Sequence, residues 1–372
     1  MDHYISSSNN DHSCVRSLFF FGSFYYVRSR HWKWLFERLK LVRVLDFGLN
    51  LSSKIPSDIW NFIHLRYLRI DIEDFMFVPD SILNLWNLET VELGAPRHKI
   101  FPISFPAQIW KLKHLRHLNT PWAIELRGSC SSDEKKWNVQ TASTLVLNSQ
   151  ATSLIKKGTF PNLKKLGLRL SSECEGELPK LLQSLQELSY LNKLVIVLRK
   201  RDDAGVEQWS DESMKRNNGL KPQELLRSLG QLNCLTILTI GNAFDRLICA
   251  LEFPPNVIEV TLSEIDCISD EGMNGLGNHT KLKILRLLGI RASRGDSFVV
   301  NCGRGSFPEL EVVEMKNLKL RKWMLENGAM WRLQNVVIHR CLRLDTLPNE
   351  LWSLSGLRKV QVKHPSLQMA AC

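Results

Sequence analysis

The sequence predicts an α/β solenoid, a stack of short coils with a parallel sheet on its concave face and short helical or irregular segments on its convex face. Three observations predict it. An apolar-x-x-apolar-x-apolar skeleton recurs along the 372 residues. A proline keeps a constant distance from that skeleton in several segments. The composition, 44% hydrophobic and 23% charged, belongs to a folded chain with ample core and not to a disordered or fibrous one.

The skeleton is plainest in HLRYLRI, NLETVEL, KLKILRL and GLRKVQV, around Leu65, Leu88, Leu282 and Leu357. With the first apolar residue as an anchor, the series runs Val15, Val42, Leu65, Leu88, Leu115, Ala142, Leu163, Leu191, Leu235, Val257, Leu282, Leu310, Leu333 and Leu357. Most steps are 21 to 28 residues, which is the period of a leucine-rich repeat and of the horseshoe such repeats build. Successive strand side chains point to opposite faces, so the apolar positions fill the coil interior and the x positions face out from the concave sheet. One coil has too little interior to stand alone, and stability comes from contacts between neighbouring coils. The whole chain, 1–372, therefore reads as one repeat domain of about 14 coils, with its first strand near residues 15–20.

Pro56, Pro79, Pro106 and Pro348 each precede the next anchor by nine residues, in IPSDIWNFIHL, VPDSILNLWNL, FPAQIWKLKHL and LPNELWSLSGL. Each marks the turn into a convex segment, where a φ near −65° is acceptable and no ladder donor is needed. Trp60, Trp110 and Trp352 share a register five residues before an anchor, and this predicts that they pack against the core. The rhythm breaks between Leu191 and Leu235, a step of 44 residues, where a polar stretch over 199–222 reads as an inserted loop. Smaller polar breaks fall at 128–136 and 291–306.

Several chemistries have no foothold. No phosphate-binding loop occurs, and the glycines of DEGMNGLGNH and NCGRGS lack both its spacing and its lysine. His64, His114, His117 and His339 stand without HExxH or paired ligand spacing, so they read as surface polar positions and not as metal ligands. No GxSxG elbow is present, and no Cys, His and acid form a local catalytic signature. The expectation is a chain that is not an enzyme and needs no cofactor or metal. Nine scattered cysteines without CxxC read as reduced thiols, mostly buried. MDHYISSSNNDH is polar where a signal peptide is basic and then apolar, and no apolar run reaches the roughly 18 to 20 residues that cross a bilayer. These features point to the cytoplasm.

A net charge of +11 admits acidic partners without choosing among them. The outward strand positions are the default binding surface: Arg16, Arg43, Arg66, Tyr67, Arg69, Arg116, His117, Lys164 and Lys165 early, then Glu311 and Glu314, then Arg358 and Lys359. Glu89, Thr90 and Glu92 interrupt the early positive stretch. Exposed strand positions must be polar in any case, so a purely solvated face is the plain alternative. The sharper expectation is that the early face steers an acidic protein surface onto the first coils. Little aromatic interleaving accompanies the charges, which disfavours nucleic acid.

The segments VRSLFFFGS, LVRVLDFG, IPSDIWNFIHLRYLRI, LNLWNLETVEL, FPAQIWKLKHLRHLNTP and CLRLDTLPNELWSLSGLRKVQV together resemble plant intracellular immune receptors. The likeness is to the coiled-coil nucleotide-binding leucine-rich-repeat class, in the late blight resistance type of the nightshade family. In that class, phrases like those at Arg16–Leu18 and Val42–Asp46 lead from the nucleotide-binding module into the repeats. The resemblance implies a sensor in defense and the hypersensitive response. The first repeats would hold a nucleotide-binding switch module closed, and coils after Leu235 would recognise a pathogen effector or a modified host protein. The coiled coil and the nucleotide-binding module are missing from this chain, and aromatic residues follow almost at once in SCVRSLFFFGSFYYV. The expectation is a detached sensor region, with a nonfunctional truncated relic as one alternative. A ubiquitin-ligase substrate adaptor is another, although a first strand near Val15 leaves little room for an F-box-like segment. An extracellular ectodomain would call for a signal peptide, paired cysteines and LxGxIP repeats.

Overall fold

A computed structural model of the chain describes residues 14–20, 35–47, 57–71, 77–94, 102–127, 136–169, 178–197, 229–241, 253–265, 268–289 and 297–364. The proposed insertion at 199–222, Pro56 and most of the break at 128–136 lie outside the described residues. The chain divides into two compact units, Met1–Glu173 and Cys174–Cys372.

The first unit holds β1 (Ser17–Phe19), β2 (Val44–Asp46), β3 (Tyr67–Ile70), β4 (Thr90–Leu93), β5 (Ile103–Pro106), β6 (His117–Asn119), β7 (Ile124–Arg127), β8 (Thr141–Val146), helix α1 (Ser149–Lys156) and β9 (Lys165–Arg169). Its main sheet is parallel in the order β1-β2-β3-β4-β6-β8-β9. The register joins equivalent skeleton positions: Leu18 to Leu45, Leu45 to Leu68, Leu68 to Val91, Val91 to Leu118. All but the end strand's Leu18 are buried. Each coil thus repeats the same inward row.

The register corrects one anchor. Leu118 pairs with Ala142, which puts Val139, and not Ala142, at the place of Leu115. Val139 is buried, and the N–H groups of Gln140 and Thr141 both donate to the Arg116 carbonyl, at 2.8 and 3.0 Å, as equivalent residues do in other coils. The skeleton misled because Ala142, Leu145 and Leu147 reproduce its spacing, while β8 carries an irregularity between Ala142 and Thr144 that shifts the phase.

The second unit holds α2 (Leu178–Leu185), β10 (Lys193–Val197), β11 (Ile237–Gly241), β12 (Glu259–Ile265), α3 (Asp270–Gly277), β13 (Ile284–Gly289), β14 (Phe298–Cys302), β15 (Val312–Lys316), β16 (Leu320–Leu325), β17 (Asn335–His339) and β18 (Lys359–Lys363). Its main sheet is parallel in the order β10-β11-β12-β13-β15-β17-β18. Leu194, Leu238, Val260, Leu285, Val313 and Val336 form its buried inward row.

The segments opposite the main sheets start where the prolines say. Pro79, Pro106 and Pro348 open 3-10 turns over Asp80–Asn84, Ala107–Lys111 and Asn349–Ser353, with φ of −70°, −61° and −63°. Asn148 caps α1 by accepting from the Ala151 N–H, and Ser269 caps α3 by accepting from the Gly272 N–H. Not every such segment is helical or irregular. β5 pairs with β7 and β14 with β16, so two places carry a second parallel pairing. Of these strands, β14 falls inside the expected polar break at 291–306. Alternation explains both: Ile103 and Phe105, Ile124 and Leu126, Val300 and Cys302 point inward with more open residues between them.

Trp60 and Trp110 are buried, and Trp110 meets Phe160 edge-on with ring centroids 5.2 Å apart. Trp352 does not follow its register: it is 61% exposed, because its turn belongs to the last described coil and no later described coil covers it. Of the described cysteines, Cys302 and Cys341 are buried while Cys14 and Cys234 are exposed. Desolvation pushes the Cys302 thiol up to about 12, so it stays protonated and packs as a small apolar group. Among the described residues no helix is long and apolar enough to cross a membrane.

Candidate protein-binding face

The outward positions of the main sheets are set by the backbone ladder. Between successive coils within each unit, the carbonyl of the residue after the anchor accepts two N–H bonds from the next coil. Arg66 and Tyr67 donate to the Arg43 carbonyl at 2.7 and 3.0 Å, and Arg116 and His117 to the Glu89 carbonyl at 2.9 and 3.0 Å. Adjacent strands lie about 4.8 Å apart. Equivalent side chains therefore stand within reach of one another across coils, although they are 22 to 44 residues apart in sequence.

In the first unit this brings acids against two of the predicted bases, Arg66 and Arg69. Arg66 pairs with Glu89 at 3.2 Å. Arg69 sits between Asp46 at 3.9 Å and the buried Asp71 at 3.5 Å. Tyr67 donates its hydroxyl to Glu92 at 2.8 Å. Burial first, and then the hydrogen bond to Glu92 and its charge, push the Tyr67 phenol well above its ordinary value. The early face is thus patterned in sign and not a plain basic stripe. Arg43, Arg116 and Lys164 are exposed and form no ion pair among the described residues. Arg16 is exposed and Lys165 half-buried.

His117 lies inside this cluster, its Nδ1 3.0 Å from the Thr141 hydroxyl, which also donates to Asn119 at 3.2 Å. Desolvation first, then Arg116 and Lys164, lower its pKa, while Glu92 and Glu89 pull weakly the other way. A histidine whose folded pKa is depressed binds fewer protons than the unfolded chain, so its contribution to stability is lost as the pH falls through the unfolded value of about 6.5. The expected outcome is a urea midpoint that drops between pH 7.5 and pH 5, with part of the drop removed in His117→Gln. An equal drop in that variant would contradict the assignment.

In the second unit the predicted Glu311 and Glu314 are also partnered. Glu311 meets Lys283 at 2.8 Å. Arg286 holds Glu314 at 2.9 Å on one side and Glu259 on the other, and Lys316 also reaches Glu314. Arg358 and Lys359 are exposed on the last described coil. Reasoning from sequence missed Asp46, Glu259, Lys283 and Arg286, yet each occupies an outward register position. Reading every skeleton to the same offsets finds them. Such half-exposed pairs are worth about 0 to 1 kcal/mol each, so they set pattern more than stability. Among the described residues no three His, Cys, Asp or Glu side chains gather as a metal site.

A family model described as a leucine-rich repeat region matches residues 14–370. The Arabidopsis thaliana protein named Probable disease resistance RPP8-like protein 4 is 26% identical over 97% of this chain and 37% of its own length. Disease resistance protein RPP8, also from Arabidopsis thaliana, is 27% identical over 94% of this chain and 36% of its length. Putative late blight resistance protein homolog R1B-16 of Solanum demissum is 24% identical over 87% of this chain and 21% of its length. The chain thus spans between 21% and 37% of the length of these relatives. Among solved structures, a Leptospira interrogans leucine-rich-repeat protein aligns with a TM-score of 0.35 at 16% identity, covering 96% of this chain and 86% of that one.

Proposed function

Because the chain belongs to the leucine-rich repeat region family, a fold of stacked coils that presents one long face to partners, we propose that it is the protein-binding sensor region of a plant immune receptor. It works in the cytoplasm, as a scaffold and not as an enzyme. Its early coils restrain a nucleotide-binding switch module, and its later coils recognise a pathogen effector or an altered host protein. The observation that carries this reading is the outward ladder, which fixes charged side chains of both signs in constant register. The disease resistance and late blight resistance names of its relatives support the setting. In such a device the effector must bind the released form more tightly than the restrained one, since equal affinity shifts nothing.

Co-precipitation of the tagged chain from leaf tissue, with and without a coexpressed nucleotide-binding module, tests the proposal. Recovery of the module with the chain is expected. Failure to recover the module, with the chain itself present and folded, would overturn it.

A further inference from the structure

At the C-terminal ends of β15, β17 and β18, three successive coils place a basic side chain on one rung: Lys316 pairs in register with His339, and His339 with Lys363. The residues that follow, Asn317, Arg340 and His364, all adopt left-handed backbone, with φ of 54°, 54° and 52°. The ladder continues through them, as Asn317 N–H donates to the His339 carbonyl at 2.9 Å and Arg340 N–H to the Lys363 carbonyl at 3.0 Å. The His339 and His364 rings lie 5.4 Å apart. Arg340, Lys363 and His364 are exposed. Desolvation first, then Arg340, His364, Lys316 and Lys363, lower the pKa of His339, which places all four within electrostatic reach of it.

On the rung itself the depressed pKa leaves His339 uncharged at neutral pH, between Lys316 and Lys363. Left-handed backbone suits Gly or Asn, and Asn317 takes it in one coil, yet Arg340 and His364 hold it in the next two, as Glu264 does at the matching end of β12. Among the described residues, Glu314 offsets Lys316, and Arg286 shares that carboxylate. Arg340, Lys363 and His364 are exposed and form no ion pair among the described residues, and such a cationic cluster complements an anionic partner.

We propose that the strand-end edge formed by Lys316, His339, Arg340, Lys363 and His364 docks a short, extended acidic peptide segment of a protein partner. Two inter-strand spacings make the edge about 10 Å wide, which three or four extended residues cover. Its permanent cations without an ion pair, Arg340 and Lys363, match two carboxylates. Nucleic acid is the poorer fit, because its binders commonly engage some 6 to 10 phosphates and stack bases on aromatic side chains, and none of the five is Trp, Tyr or Phe. The inference does not rest on the immune-receptor reading.

Fluorescence anisotropy with the full chain and fluorescein-labelled hexaglutamate at low salt tests it. Arg340→Gly with Lys363→Gln is expected to weaken binding at least about fivefold, with the melting midpoint held or raised because glycine relieves the left-handed backbone. Lys156→Gln with Lys157→Gln, at the end of α1, is expected to leave hexaglutamate affinity unchanged. Equal affinity in wild type and the edge variant would overturn the proposal. So would loss of binding in the α1 variant alone, or tighter binding of a six-nucleotide single-stranded DNA than of hexaglutamate at the same salt.

Discussion

Leu285→Asp is expected to cost more than about 4 kcal/mol and to abolish cooperative unfolding of the second unit. Leu285 is 1% exposed on β13, with Val260 and Val313 as its ladder partners on either side. Its flanking inward positions, Leu282 and Leu287, are equally buried. An Asp there loses the packing of the leucine, worth about 2 to 5 kcal/mol in comparable truncations. It also buries a carboxylate among side chains that offer no hydrogen bond. Because coils support only their neighbours, the damage reaches β12 and β15 directly. Leu68→Asp in β3 tests the first unit in the same way, since Leu68 is fully buried between Leu45 and Val91. Circular dichroism in urea reads both, and an unchanged midpoint in either variant would refute the inward row.

Gly167→Val is expected to destabilise the first unit by about 3 kcal/mol. A Cβ on Gly167 would stand 2.6 Å from the Thr144 Cα and 2.7 Å from its backbone nitrogen. Those atoms belong to β8 beside its irregularity, where β8 is held to β9, so they cannot swing away as a flexible side chain could. The glycine is required by close approach of two strands. Gly167→Ala already adds the offending atom and should share most of the loss. Gly356→Ala, whose added Cβ meets nothing nearer than 3.5 Å, should stay within about 0.5 kcal/mol of wild type. Thermal melting that ranks Gly167→Val beside Gly356→Ala would contradict this reading.

The fold was legible where one residue type repeats a backbone requirement. Leucine anchors such as Leu65, Leu88 and Leu282 mark the inward row because every coil must bury the same position. Pro79, Pro106 and Pro348 mark turn entries because their φ suits that place. The phase slipped at Ala142, since an irregularity in β8 lets one segment satisfy the skeleton twice, and only pairing with Leu118 reveals the true anchor at Val139. Trp352 shares a register with Trp60 and Trp110 but not their burial, because burial depends on a neighbouring coil and not on the residue's own segment. The candidate face was legible as outward positions, not as electrostatics. Arg66 with Glu89 and Arg286 with Glu314 become pairs only when coils stack in register, a relation across 23 and 28 residues that no local spacing displays.

On the proposed function, the sheet face of the first unit engages a protein partner through Arg43, Arg116 and Lys164, predicted bases that form no ion pair among the described residues. Isothermal titration of the full chain against the nucleotide-binding module of a disease-resistance receptor, at low salt, tests it most directly. Reversal of these three to Glu is predicted to weaken binding at least about tenfold, whereas reversal of Lys156 and Lys157, at the end of α1 in the crossover between β8 and β9, changes it little. Equal affinity of wild type and the triple variant, or equal losses in both variants, would contradict it.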